Sequence, residues 1–137
     1  MAVVSELIRG EADGSISFGD YTLSEKSKLS FQHQGVTYKV KTYKDITKLE
    51  CNEVFVYESV PGTAVYGFAK TEDKVSFSVE GPEDAQITLE LEPETNYEVN
   101  IAGEVVGDMM TNLGGKLSVS VELVDASEQV LITITKK

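Results

Sequence analysis

Apolar side chains recur at every second position through most of this chain, the period that places alternate residues on one face of a β-strand. Alternation and the regular short spacing of turn residues predict strands over 54–60, 64–70, 74–80, 86–91, 97–101, 105–110, 116–123 and 129–135. Gly81-Pro82, Ala102-Gly103 and Gly114-Gly115 punctuate them. Short strands with turn signals about every 8–12 residues are the pattern of a β-sandwich. Upstream, residues 15–21, 29–33 and 36–43 also read as strands, and Gln34-Gly35 reads as a hairpin turn. Lys39 and Lys41 alternate with Val40 and Thr42, so the lysines share the solvent face of their strand. Residues 45–50 fit either a strand or a short turn, Cys51-Asn52-Glu53 breaks the pattern, and Pro61-Gly62-Thr63 suits a loop or a type II turn. Val3, Val4, Leu7 and Ile8 fit one helical turn or an edge strand, in a segment too short to be stable without docking.

The expected architecture is all-β. It combines a small β-rich part over residues 1–63 with an immunoglobulin-like sandwich over residues 64–137, divided near Pro61 where the charge density changes. The most informative stretch runs from Leu91 to Val99. Leu89, Leu91, Tyr97, Val99 and Ile101 keep one apolar register across a corner. Pro93 fixes φ and removes a donor where a ladder should stop. Thr95 and Asn96 suit a turn. Tyr97 can then bury its ring while its hydroxyl bonds main chain nearby, the arrangement known as a tyrosine corner.

Charge narrows the range of functions. The chain carries a net −11, and unevenly. Residues 1–64 hold 7 basic and 9 acidic residues, whereas residues 65–137 hold 5 and 14. Phosphate backbones and anionic membrane surfaces are repelled by such a surface, so neither nucleic acid nor membrane is an expected partner. The single cysteine, Cys51, excludes an internal disulfide. With no basic-then-apolar leader at the first residues, a cytoplasmic location is expected. Catalytic chemistry finds little purchase. One histidine, His33, and one cysteine are too few for a zinc site, and neither sits in a nucleophile motif. The acid-rich segments 80–84 and 90–98 lack the spacing of a calcium loop. No glycine-rich strand-to-helix loop is present for a nucleotide. No catalytic residue, cofactor or metal is expected.

Leu91-Glu-Pro-Glu-Thr-Asn-Tyr97-Glu-Val99 is similar to the corner of fibronectin type III and related immunoglobulin-like domains, with one departure: three strands follow the corner here instead of one. The segment from Val99 to Gly107, followed by Thr111 to Leu123, resembles the closing hairpins of bacterial immunoglobulin-like modules. Glu11 to Tyr21, Tyr38 to Glu50 and Val56 to Ala64 resemble a group of short proteins of clostridia-like anaerobic bacteria, often labelled endosialidase. That label implies a carbohydrate-directed protein, and glycan is the partner it would bring. Enzymes acting on sialic acid grip a carboxylate with clustered arginines, and Arg9 is the one arginine of this chain. The residues themselves favour a non-catalytic structural or interaction module. It is expected to form a homo-oligomer through strand edges and through Val3, Val4, Leu7 and Ile8.

Overall fold

The computed structural model describes residues 3–4, 6–123 and 129–137. Thirteen strands account for its regular structure: β1 (Ile8–Gly10), β2 (Ile16–Phe18), β3 (Ser27–His33), β4 (Val36–Tyr43), β5 (Ile46–Cys51), β6 (Val54–Val60), β7 (Ala64–Lys70), β8 (Lys74–Glu80), β9 (Ala85–Glu90), β10 (Asn96–Ile101), β11 (Glu104–Met110), β12 (Lys116–Val121) and β13 (Val130–Lys136). They form two antiparallel sheets. One has seven strands in the order β1-β2-β7-β8-β13-β10-β11, and the other has six in the order β12-β9-β6-β5-β4-β3. The chain is therefore an all-β sandwich, as the alternation predicts.

The division near residue 63 does not separate two cores. β1 and β2 extend the seven-stranded sheet, and β3 to β6 make up most of the six-stranded one. Residues 64–137 contribute only β9 and β12 to the second sheet, too few strands to cover the five they place in the first. One hydrophobic cluster joins both stretches, with Ile8, Ile16, Phe18 and Leu49 packed among Val65, Phe77, Ile87 and Ile134. At its centre, Phe18 meets Tyr57 edge-on with ring centroids 5.2 Å apart, and Tyr57 meets Phe77 edge-on at 5.6 Å. Edge-to-face contacts of this kind are favoured by the ring quadrupoles.

Three hairpins close through two residues that both have positive φ: Gln34-Gly35, Asn52-Glu53 and Ala102-Gly103. Such turns match the twist of the strands they join. The expected strand over 15–21 is cut to three residues. Gly19 adopts φ +103 and its N–H turns away to the Leu7 carbonyl, while the Asp20 N–H goes to Thr42 Oγ1. The loop at 61–63 follows a cis Val60-Pro61 bond. A Cβ on Gly62 would collide with the Tyr43 carbonyl, so only glycine fits there.

The described residues of the apolar N-terminal segment form no helix. Val4 and Ile8 are fully buried, while Val3 and Leu7 are half-buried. Val4 N–H donates to the Gly19 carbonyl at 3.1 Å, and Gly19 N–H donates to the Leu7 carbonyl at 2.9 Å. The segment is thus docked onto its own sandwich. Val4 and Ile8 are spent on the chain's own core, which corrects the expectation of contact with a neighbouring copy for these two of the four residues Val3, Val4, Leu7 and Ile8; Val3 and Leu7 keep part of their surface.

Candidate functional site

Among the described residues, every buried side-chain polar atom except His33 Nε2 has a hydrogen-bond partner. Thr63 Oγ1 lies 2.8 Å from both the Tyr57 hydroxyl and Ser59 Oγ. Thr47 Oγ1 donates to the Thr63 carbonyl at 2.8 Å and lies 2.8 Å from Thr42 Oγ1. The Glu80 carboxylate, 2 % exposed, accepts the Tyr21 hydroxyl at 3.3 Å and is also hydrogen-bonded to Tyr66. Burial pushes the phenols of Tyr57, Tyr21 and Tyr66 well above their ordinary value, and Glu80 adds to the rise for the last two. These groups stay protonated and paired. The threonine group fixes the loop at 61–63 and, through the Asp20 N–H on Thr42 Oγ1, the segment after β2, while Glu80 ties Tyr21 to Tyr66.

At the corner, Tyr97 is 3 % exposed and its hydroxyl accepts the Glu92 N–H at 3.2 Å. Leu91 is half-buried against the core, and its N–H donates to the Gly115 carbonyl at 2.6 Å. Pro93 is exposed, and its carbonyl accepts Thr95 Oγ1 at 2.8 Å. Thr111, which the sequence pattern did not single out, completes the corner. Its Oγ1 accepts the Thr95 N–H at 2.9 Å and donates to the Glu92 carbonyl at 2.5 Å.

His33 and Cys51 do not form a pair. Cys51 lies opposite Tyr38, whereas His33 lies opposite Val36, so β4 and a two-residue offset separate them. Burial raises the Cys51 thiol above its ordinary value, with Lys70 pulling weakly the other way. His33 stacks near Phe31 and lies against Gly10. Cys51 borders an open cleft of about 480 Å³ with Tyr38, Val56, Phe68 and Lys70. Among the described residues, no three His, Cys, Asp or Glu side chains converge as metal ligands do. Of the tyrosines, Tyr21, Tyr57 and Tyr97 are buried, and Tyr38, Tyr43 and Tyr66 are half-buried. No described helix is long and apolar enough to cross a membrane.

The two sheet margins are where the surface becomes unusual. β11 has no buried residue, in contrast to β10 beside it, where Tyr97 and Val99 are buried. Its ladder to β10 is bulged, with Val99 opposite Gly107 but Asn100 opposite Val105, leaving Val106 as the extra residue. Val105, Val106 and Met110 are 58 %, 55 % and 64 % exposed, and Leu113 just beyond is 78 % exposed. This strand ends the larger sheet, and no described residue buries either of its faces.

At the opposite margin, β3 is the edge of the six-stranded sheet and lies beside β1 across the sandwich. Lys28 pairs directly with Lys41, and Lys41 pairs directly with Lys48, so three ammonium groups cross three strands in one row. With Lys39 and Glu50 they line a shallow hollow of about 400 Å³. Glu50 reaches Lys48 at 3.7 Å, and Lys48 and Lys116 sit over the Phe55 ring at 6.0 and 4.9 Å. Like charges directly opposite one another destabilise a sheet, so this row runs against stability on its own.

Comparison with protein families, curated proteins and solved structures returns no match.

Proposed function

We propose that the chain is a non-catalytic structural module that self-associates through its strand edges. The observation that carries this reading is β11, an edge strand with Val105, Val106 and Met110 in solvent. An edge strand presents unpaired N–H and C=O groups to any other strand, and proteins that remain single usually blunt such edges with charge, proline or a cover. β11 carries only its bulge and two acids, Glu104 and Asp108, as guards. Strand addition supplies main-chain hydrogen bonds, and covering the apolar side chains adds about 25 cal/mol per Å² removed from water. The self-association surface moves accordingly from the N-terminal segment to the sheet margin.

The test is solution mass by light scattering over a micromolar concentration series. Wild type is expected above the 15.0 kDa of one chain, and Val106→Lys is expected to reduce that mass while the far-UV circular dichroism is unchanged. A wild-type protein that stays at 15.0 kDa throughout sinks the reading.

A further inference from the structure

Resting on that reading, we infer that the association is head to tail: the β10–β11 hairpin of one copy adds to the β3–β4 hairpin of the next. The two hairpins lie at opposite margins of the molecule. β11 ends the seven-stranded sheet at the side where the chain turns over into β12, and β3 ends the six-stranded sheet at the side occupied by β1. Their own charges are opposite, and Lys137 of the same chain offsets part of the acidic one, reaching Asp108 at 3.5 Å and Glu98 at 4.0 Å. Residues 27–43 contain three lysines, Lys28, Lys39 and Lys41, and no acid. Residues 96–110 contain three acids, Glu98, Glu104 and Asp108, and no base. Both edge strands are seven residues long. Both also expose apolar side chains beside the charge, Leu29 on β3 at 41 % and Val105, Val106 and Met110 on β11.

Symmetric pairing is disfavoured at either margin. β11 against β11 would bring two acidic hairpins together, and β3 against β3 would widen a lysine row that already has Lys28, Lys41 and Lys48 side by side. β11 against β3 instead sets an acidic hairpin beside the lysine row, with Glu104 and Asp108 on opposite faces of β11 so that one of them shares a face with Lys28. The remaining edges are poorer docking sites. β1 has three residues, and the exposed positions of β12 are Lys116, Ser118 and Ser120. A contact between two different patches leaves one free patch of each kind on the pair. Growth therefore continues until a ring closes or a filament forms.

Two variants separate this arrangement from its rivals. Val106→Lys blocks β11 with the charge that β3 already carries, and Lys28→Glu blocks β3 with the charge that β11 already carries. Each purified alone, and folded by circular dichroism, is expected near 15.0 kDa. Mixed in equal amounts they are expected to at least double that mass, because the first keeps an intact β3 and the second an intact β11. If Lys28→Glu alone associates like wild type, β11 pairs with itself and the inference is overturned. If Val106→Lys alone associates like wild type, β3 pairs with itself and the inference is overturned. A mixture that stays at the mass of its separate components overturns it as well. In all three cases wild-type association still stands, whereas a monomeric wild type removes the self-association reading itself.

Discussion

Val4 and Ile8 lie inside the sandwich while Val105, Val106 and Met110 lie outside it, although both stretches are apolar runs near the margins of the same seven-stranded sheet. The difference is what stands across from them. β1 sits opposite β3, so Ile8 has a facing layer and Val4 is drawn in behind it through Gly19. β11 is the seventh strand above a sheet of six, and nothing described faces it. Apolar composition alone does not tell inside from outside; the relative width of the two layers does. A second contrast follows from the first. The N-terminal segment is held by core packing as well as by side-chain chemistry, whereas β11 is held by its ladder to β10 and the exposed Lys137–Asp108 ion pair, with no buried side chain.

That contrast can be broken most forcefully at Ile8. It is 2 % exposed and belongs to the common core. Ile8→Ala should cost about 2–5 kcal/mol, the range for truncating a buried branched side chain. Val106→Lys, on the uncovered strand, should change stability by less than about 0.5 kcal/mol, as surface substitutions do. Urea midpoints of the two variants measure both. Equal costs would mean that β11 is covered, or that residues 1–10 are not docked. Tyr97→Phe falls between them. It keeps the ring and removes an acceptor from the Glu92 N–H, for about 1 kcal/mol. It should leave the solution mass unchanged, because the hydroxyl points into the corner and away from the edge.

Much of the fold is legible without the structure. The predicted strands over 36–43, 54–60, 64–70 and 74–80 coincide with β4, β6, β7 and β8, because each has clean alternation bounded by turn residues. Residues 45–50 remained ambiguous for a physical reason. Thr47 and Leu49 alternate with Lys48 and Glu50, but the stretch is short, and only its ladders to β4 and β6 make it a strand. Pairing across long sequence distances leaves no local trace: neither the insertion of β13 between β8 and β10 nor the pairing of β2 with β7 is written in any window. The same holds for the margins. The shared face of Lys39 and Lys41 is a period-2 fact, whereas the row Lys28, Lys41, Lys48 exists only once the registers are known. The exposure of β11 did leave a signal. Val105-Val106 and Met109-Met110 are adjacent apolar pairs that break the alternation. Such a pattern suits a strand buried on both faces, and here it lies on a strand covered on neither.

The smallest expected effect concerns how β1 is tied down, and pH reads it. Glu11 accepts the Ser17 hydroxyl at 2.5 Å and Arg9 Nε at 3.0 Å, and Ser17 Oγ in turn accepts the Gly67 N–H at 3.2 Å. The chain of contacts links the end of β1 through β2 to β7. The Ser17 hydrogen bond, then Arg9, holds the Glu11 carboxyl below the ordinary carboxylate value. A carboxyl lowered by folding stabilises the folded state above its unfolded pKa, and that contribution is lost as pH falls through the lowered folded value. The Glu11 side chain is one-third exposed, so solvent screens the ion pair and the effect is modest. Glu11→Gln should therefore lower the thermal midpoint at pH 7, and the gap to wild type should close as pH is taken down through the carboxylate range, where wild-type Glu11 also becomes neutral. A gap of constant size from pH 7 to pH 3 would show that the charge on Glu11 does not secure β1, and that the docking of the N-terminal segment rests on Val4 and Ile8 alone.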